Sequence, residues 1–371
     1  MIRLAMLLDL MLLQSKPATP PPPPVAVSSQ HIASDPRLVR WMPSSIVCAG
    51  AEVNATARRP YVGLIWGDRP LTEQHFRFDI DARGRAVGIA SVDASAPEAV
   101  PAWQPARDDV VPSLAASDLS GARERRDCRI SYRGEAFSIE SAPLPDLISY
   151  TVRPMGQRMP ESGWARIRGG VDDCVREPRA PWLKHVTPDW RKVTAQPGVD
   201  DWVLLGYDLD GEGRPDKVRV VTGTQNAQVD SAAIAALHES QMVTDGPRRG
   251  CLVPYHRPAA RLLAPESPET ASLRPAGATC PDRADWMTPP RLTFPEPFRR
   301  RSIEGWAVVA YDVAPWGEVG NLRVLTAQPA ADFGTAALNV LRAAKRKPVD
   351  GAGYTGCVER IYFKMGVSIL D

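Results

Sequence analysis

Apolar residues gather along this chain in short runs punctuated by Gly and Pro, not in long helical stripes. The most regular region lies towards the C-terminus. Ala307 to Val313 reads Ala-Val-Val-Ala-Tyr-Asp-Val, which predicts a strand, and Val319 to Leu325 reads as its return partner. Between them, Ala314-Pro315-Trp316-Gly317-Glu318 has hairpin chemistry, with Pro fixing φ and Gly supplying φ > 0. From Ala331 to Lys345 the residues Phe333, Ala337, Leu338, Leu341 and Ala344 fall at helical spacing. Lys345, Arg346 and Lys347 then suit the negative end of the helix dipole, and Pro348 stops it. Cys357 to Val367 predicts a last strand. The order is β-β-α-β, an α+β unit with a three-stranded antiparallel sheet under one helix.

The same pattern occurs twice upstream. Phe78-Asp79-Ile80 with Gly84 and Tyr207-Asp208-Leu209 with Gly213 repeat Tyr311-Asp312-Val313 with Gly317. The second copy predicts strands at Trp202 to Leu209, Lys217 to Val221 and Cys251 to Tyr255, with a helix around Asp230 to Glu239. The first predicts strands at His75 to Ile80, Ala86 to Val92 and Cys128 to Tyr132, with a helix within Pro105 to Ala116. Pro-rich polar stretches, Ser141 to Gly163 and Pro258 to Ala278, read as joints. The expected organisation is a leader-like segment and Pro-rich linker at 1–30, then modules at 31–145, 160–260 and 275–371.

All six cysteines obey this register. One precedes each repeated aspartate (Cys48, Cys174, Cys280) and one follows it (Cys128, Cys251, Cys357), at spacings that change little between repeats. Among the many pairings six cysteines allow, the register favours Cys48–Cys128, Cys174–Cys251 and Cys280–Cys357. Three such disulfides imply an oxidising compartment. Arg3 followed by Leu4 to Leu13 resembles a short export signal interrupted by Asp9, and Pro17 to Pro24 reads as a polyproline II spacer or a disordered tail.

With 44% hydrophobic and 24% charged residues the chain is globular, and its formal charge of +2 is nearly balanced. The runs Arg123 to Arg126, Arg248-Arg249 and Arg299-Arg300-Arg301 lack interleaved aromatics, so they read as solvated faces rather than a nucleic-acid groove; an anionic partner is the alternative. Asp208 to Asp216 resembles the start of a calcium loop, but Arg219 stands where the closing Glu belongs, which favours a turn. The five histidines have no metal-ligand spacing, and no nucleophile elbow or phosphate loop occurs. No catalytic residue, metal or cofactor is expected.

In the third repeat the ordered series Phe294-Pro295, Arg300-Arg301-Ser302-Ile303-Glu304-Gly305, Val308 to Val319, Asn321, Val324-Leu325, Pro329, Phe333, Ala337, Lys345 to Pro348 and Glu359 to Met365 resembles the C-terminal domain of TonB, the periplasmic energy transducer of Gram-negative bacteria. The resemblance is clearest over 290–367, and the upstream repeats read as degenerate copies. It implies capture of an extended segment, the TonB box of an outer-membrane transporter, by strand addition to the last exposed strand. The peptide-binding residues it points to are Arg300, Arg301, Ile303, Val358, Arg360, Tyr362 and Lys364. It also implies a periplasmic protein, exported or tethered to the inner membrane, with a protein partner in the envelope. A structural envelope spacer without peptide capture is the alternative, and a hydrolase built on an Asp/His constellation is a third reading.

Overall fold

The computed structural model describes residues 35–67, 70–92, 108–155, 157–170, 173–175, 181–283, 285–349 and 351–366. The leader-like run, the polyproline stretch, the first residues of the helix expected within Pro105 to Ala116, and Val367 lie outside them. Residues 35–371 form one compact unit.

The first repeat is larger than its pattern predicts. Its elements are β1 (Pro36–Pro43), β2 (Val47–Cys48), β3 (Ala51–Glu52), β4 (Gly63–Trp66), β5 (Gln74–Ile80), β6 (Ala86–Ser91), α1 (Val110–Ala115) and β7 (Arg125–Ser138). The expected three-stranded sheet is therefore corrected to seven strands. Strands β5, β6 and β7 form the anticipated core, while β1 and β2 line the far edge of β7, Arg37 opposite Ser138 and Cys48 opposite Cys128. The joint after it is corrected too, because it folds into α2 (Leu144–Val152) and α3 (Glu161–Arg168). Pro143 and Pro145 stand at the start of α2, where a missing N–H costs no helical hydrogen bond. Leu147, Ile148 and Tyr150 bury its inner face.

The second repeat runs β8 (Trp182–Lys184), β9 (Asp201–Leu209), β10 (Pro215–Gly223), α4 (Ala227–His238), β11 (Gln241–Met242) and β12 (Arg248–Arg257). In the third come β13 (Trp286–Thr288), α5 (Glu296–Arg300), β14 (Gly305–Val313), β15 (Val319–Gln328), α6 (Ala331–Arg342), β16 (Lys345–Arg346) and β17 (Tyr354–Phe363). Their three-stranded sheets have the order β10-β9-β12 and β15-β14-β17. Helix α6 ends at Arg342, so Lys345 and Arg346 are corrected from a last helical turn to the strand that pairs with β13. The central strands β9 and β14 are buried on both faces, which is why each reads as a continuous apolar run.

The repeated residues do the same work three times. The aspartate carboxylate accepts the N–H of the residue just before the second cysteine: Asp79 from Asp127 at 3.0 Å, Asp208 from Gly250 at 3.1 Å and Asp312 from Gly356 at 2.8 Å. Those acceptor-bound residues all have left-handed φ, 48°, 71° and 69°. The turn glycine carbonyl accepts an N–H from the segment after the helix: Gly84 from Leu119, Gly213 from Met242 and Gly317 from Arg346. A Cβ at Gly317 would lie 2.1 Å from the Arg346 carbonyl and at Gly213 1.8 Å from that of Met242, so close approach as well as positive φ demands glycine. The three disulfides form as the register favoured, with sequence separations of 80, 77 and 77.

The repeats share cores. One cluster joins the first and third: Phe76, Ile89, Val110 and Leu114 pack with Phe298, Ile303, Phe333 and Leu341. Another closes the back of the second sheet, Trp202 and Leu204, under Leu147, Ile148 and Leu64. At the point where all three meet, Arg301 is fully buried. Its Nε and Nη2 reach the two Asp109 oxygens at 2.6 and 2.5 Å, its Nη1 donates to the Gly198 carbonyl at 3.1 Å, and the Tyr61 ring lies 3.8 Å away. Removing one partner of such a buried pair costs about 3–5 kcal/mol, because the other charge is stranded. Arg248 is also buried, against the Asp173 carbonyl and Asp245. The expectation of solvated arginine faces thus fails at Arg248 and Arg301.

Candidate functional site

Strand β17 is the last strand of the third repeat and one edge of its sheet. Its inner side pairs with β14, from Gly305 opposite Phe363 to Tyr311 opposite Cys357. On its outer side, among the described residues, one stretch of backbone meets it: the Thr279 N–H donates to the Thr355 carbonyl at 3.0 Å, and the Thr355 N–H to Thr279 Oγ1 at 2.9 Å. No strand is paired to the outer edge from Val358 to Phe363 among those residues.

The two faces of β17 are differently furnished. Ile361 and Phe363 point to α6, where Phe363 stands edge-on to Phe294 and Phe333 at 5.8 and 5.3 Å. Val358 points to the back face with Trp306, Val308 and Ala310. That face is crossed by the segment leading into the third repeat, through Ala264 and Leu273. Trp306 Nε1 donates to the Pro265 carbonyl at 2.8 Å, Arg360 Nη1 to Ser267 Oγ at 3.0 Å and to the Pro268 carbonyl at 2.9 Å, and the Tyr362 and Ser267 hydroxyls lie 2.8 Å apart. We call residues 262–279 the strap. Tyr362 is flanked by two cations, with Arg360 4.9 Å and Lys364 4.7 Å from its ring.

The residues singled out from sequence therefore separate. Arg360 and Tyr362 lie together on β17 with Lys364 just past its end, and Val358 lies beside them but is covered by the strap. Arg301 and Ile303 are 1% and 0% exposed inside the junction of the repeats, so they are withdrawn from any peptide-binding surface. Arg300 is partly buried: its carbonyl accepts from Arg153, and its guanidinium lies 3.8 Å from Asp108. Burial under both faces is what the sequence could not display at these three positions, since their partners are distant along the chain. The strap residues Pro265, Ser267 and Thr279 were missed, although the Pro-rich run that contains the first two and ends just before Thr279 was the available signal.

Local electrostatics are those of a structural site. The Asn321 amide and the Gly356 N–H hold the Asp312 carboxyl below its ordinary value. Burial pushes the Glu359 carboxyl up, and the neighbouring Arg346 and Tyr311 only partly offset this. Burial likewise pushes the Tyr311 hydroxyl up to about 12. The calcium-like loop of the second repeat is a turn in which Asp210 accepts the N–H groups of Glu212 and Arg214 at 2.8 Å each. Among the described residues no cluster of three metal-ligating side chains occurs, and no helix is long and apolar enough to cross a membrane.

Residues 290–365 match the family model described as Gram-negative bacterial TonB protein C-terminal. The match spans α5, β14, β15, α6 and β17, the whole of the third repeat's sheet and helix. Among curated proteins, none matches the chain.

Proposed function

We propose that the protein is a periplasmic, non-enzymatic binding protein built from three tandem TonB C-terminal-like modules, and that its third module captures an extended peptide along the outer edge of β17. The single observation that carries this reading is the contrast between two equivalent strands. The far edge of β7 is filled by the chain's own β1 and β2, whereas no strand fills that of β17 among the described residues. An unfilled edge offers main-chain hydrogen bonds to an incoming strand, and the Arg360–Tyr362–Lys364 row supplies side-chain contacts beside it. The partner suggested by the family is the TonB box of an outer-membrane transporter. Pro265, Pro268 and Pro275 keep the strap from closing the edge as a ladder strand, because proline has no N–H to donate.

Titrating the oxidised full-length chain with a short TonB-box-like peptide, followed by amide resonances, tests this. Saturable shifts centred on Tyr354–Phe363 are expected, with affinity about tenfold weaker in Tyr362→Asp. Shifts elsewhere, or an affinity untouched by Tyr362→Asp, overturn the proposal. The spacer reading draws its support from the shared core of the first and third repeats. It gains if the peptide does not bind at all.

A further inference from the structure

Four arginines, Arg40, Arg58, Arg59 and Arg301, line one cavity between β1, the loop before β4, α2 and the end of β10. Its volume is about 280 Å³, room for roughly nine waters at about 30 Å³ each. Two of the four are neutralised. Arg301 holds Asp109, and Arg40 is shared by Glu135 at 2.7 Å and Asp146 at 3.1 Å.

The other two are held differently. Arg58 donates its backbone N–H to Ser117 Oγ at 2.8 Å and its Nε to the Ala116 carbonyl at 3.4 Å, while Arg59 Nη1 lies 4.0 Å from Met42 Sδ. Neither forms an ion pair with a carboxylate among the described residues. The nearby acids are occupied: Asp200 by the Tyr61 hydroxyl, Arg153 and the Ala259 N–H, Asp201 by Thr224 and Asn226, and Asp118 by the Ser120 N–H. Burial and the neighbouring charge of Arg301 both press the Arg58 pKa below the usual arginine value. Asp201 and Asp118 offset this only in part from a distance. A half-buried cation without a direct ion pair has given up hydration that a bound anion can replace.

We infer that this cavity is a binding site for a small oxyanion, a carboxylate or a phosphate, gripped by Arg58 with Arg59 at its rim. The planar guanidinium matches either anion with two parallel N–H donors. Ser149 and Thr222 stand on the same wall as further hydroxyl groups. A second hollow, lined by Met42, Pro43, Thr56, Ala57 and Asp118, shares Arg58 and Arg59, so the body of a ligand has space on both sides of the two arginines. The site lies between the first and second repeats and is independent of β17.

Calorimetric titration of the oxidised full-length chain at constant ionic strength tests it, with inorganic phosphate, N-acetylglycine and the uncharged methylamide of N-acetylglycine as probes. Saturable binding of phosphate, of N-acetylglycine or of both is expected, without binding of the amide, and which anion binds identifies the source. Arg58→Gln weakens it at least about tenfold, and Arg58→Lys restores part of it. No saturable binding of either anion, or equal binding by Arg58→Gln, overturns the inference. Should circular dichroism show Arg58→Gln unfolded, Arg59→Gln is held to the same criterion.

Discussion

The first and third repeats carry the same aspartate clasp, the same turn glycine and the same disulfide, yet they use the segment before the first cysteine in opposite ways. Ahead of Cys48 the chain runs as β1 and β2 along the edge of β7. Ahead of Cys280 it runs as the strap across the back of the sheet and meets β17's outer backbone at Thr355. Proline placement explains the difference. In β1 the prolines Pro36 and Pro43 are confined to the strand ends, leaving Leu38, Val39 and Trp41 free to pair and to bury their side chains. In the strap Pro265 and Pro268 interrupt any ladder, so the segment contributes carbonyl acceptors and apolar cover but no strand. Among the described residues, one topological position thus yields a closed edge in one repeat and an open one in the other.

The strongest way to break this comparison is to empty the closed edge. Trp41 is fully buried where β1 crosses the far half of β7, and Trp41→Ala should cost about 3–5 kcal/mol of stability. Denaturant unfolding measures the loss. Peptide binding at β17 should survive below the new midpoint, since β1 and β2 do not pair with β17; loss of both together would show that the edges are coupled through the shared core.

A smaller change sharpens the contrast from the other side. Ser267 bridges the strap to Arg360 and Tyr362, and Ser267→Ala should cost about 0.5–1.5 kcal/mol. It frees the Tyr362 hydroxyl and leaves Arg360 bonded to the Pro268 carbonyl alone. The expected result is a slightly less stable protein whose peptide affinity is equal or higher, and a marked fall in affinity would mean that the strap helps to form the binding surface.

The smallest effect concerns the clasp the two repeats have in common. Asp312 is held below its ordinary value by Asn321 and Gly356, so its folded pKa lies under the unfolded value of about 3.9. Its contribution is present above about pH 4 and is lost as pH falls through the folded value. Melting temperatures between neutral pH and about pH 3 should therefore fall less steeply in Asp312→Asn than in the parent chain, and identical slopes would remove Asp312 from the acid sensitivity.

The recurring motif was legible because most of its signals are local. An aromatic-Asp pair and a turn glycine mark a single hairpin, the cysteines recur in a fixed register although they bridge 77 to 80 residues, and the composition of Ala307 to Val313 already reports burial on both faces. The elements that sequence did not disclose depend on remote partners. Nothing in Pro36–Pro43 announces that it will pair with residues near Ser138, and Pro145 reads as a breaker until it is placed in the first turn of α2. Lys345 and Arg346 extend a helical pattern, but the Gly317 carbonyl and β13 draw them into a strand.

By itself, then, the sequence determined the cysteine pairing and the TonB-like character of residues 290–365. Only the tertiary structure decided which edges stay open and which arginines are used up. Arg301 and Arg360 are equally charged in the sequence, but one is sealed against Asp109 at the meeting of three repeats and the other lies on a strand whose outer edge no strand fills among the described residues. The reason is physical: turn chemistry and strand propensity act over a few residues, whereas burial of a charge is set by whatever the rest of the chain packs around it.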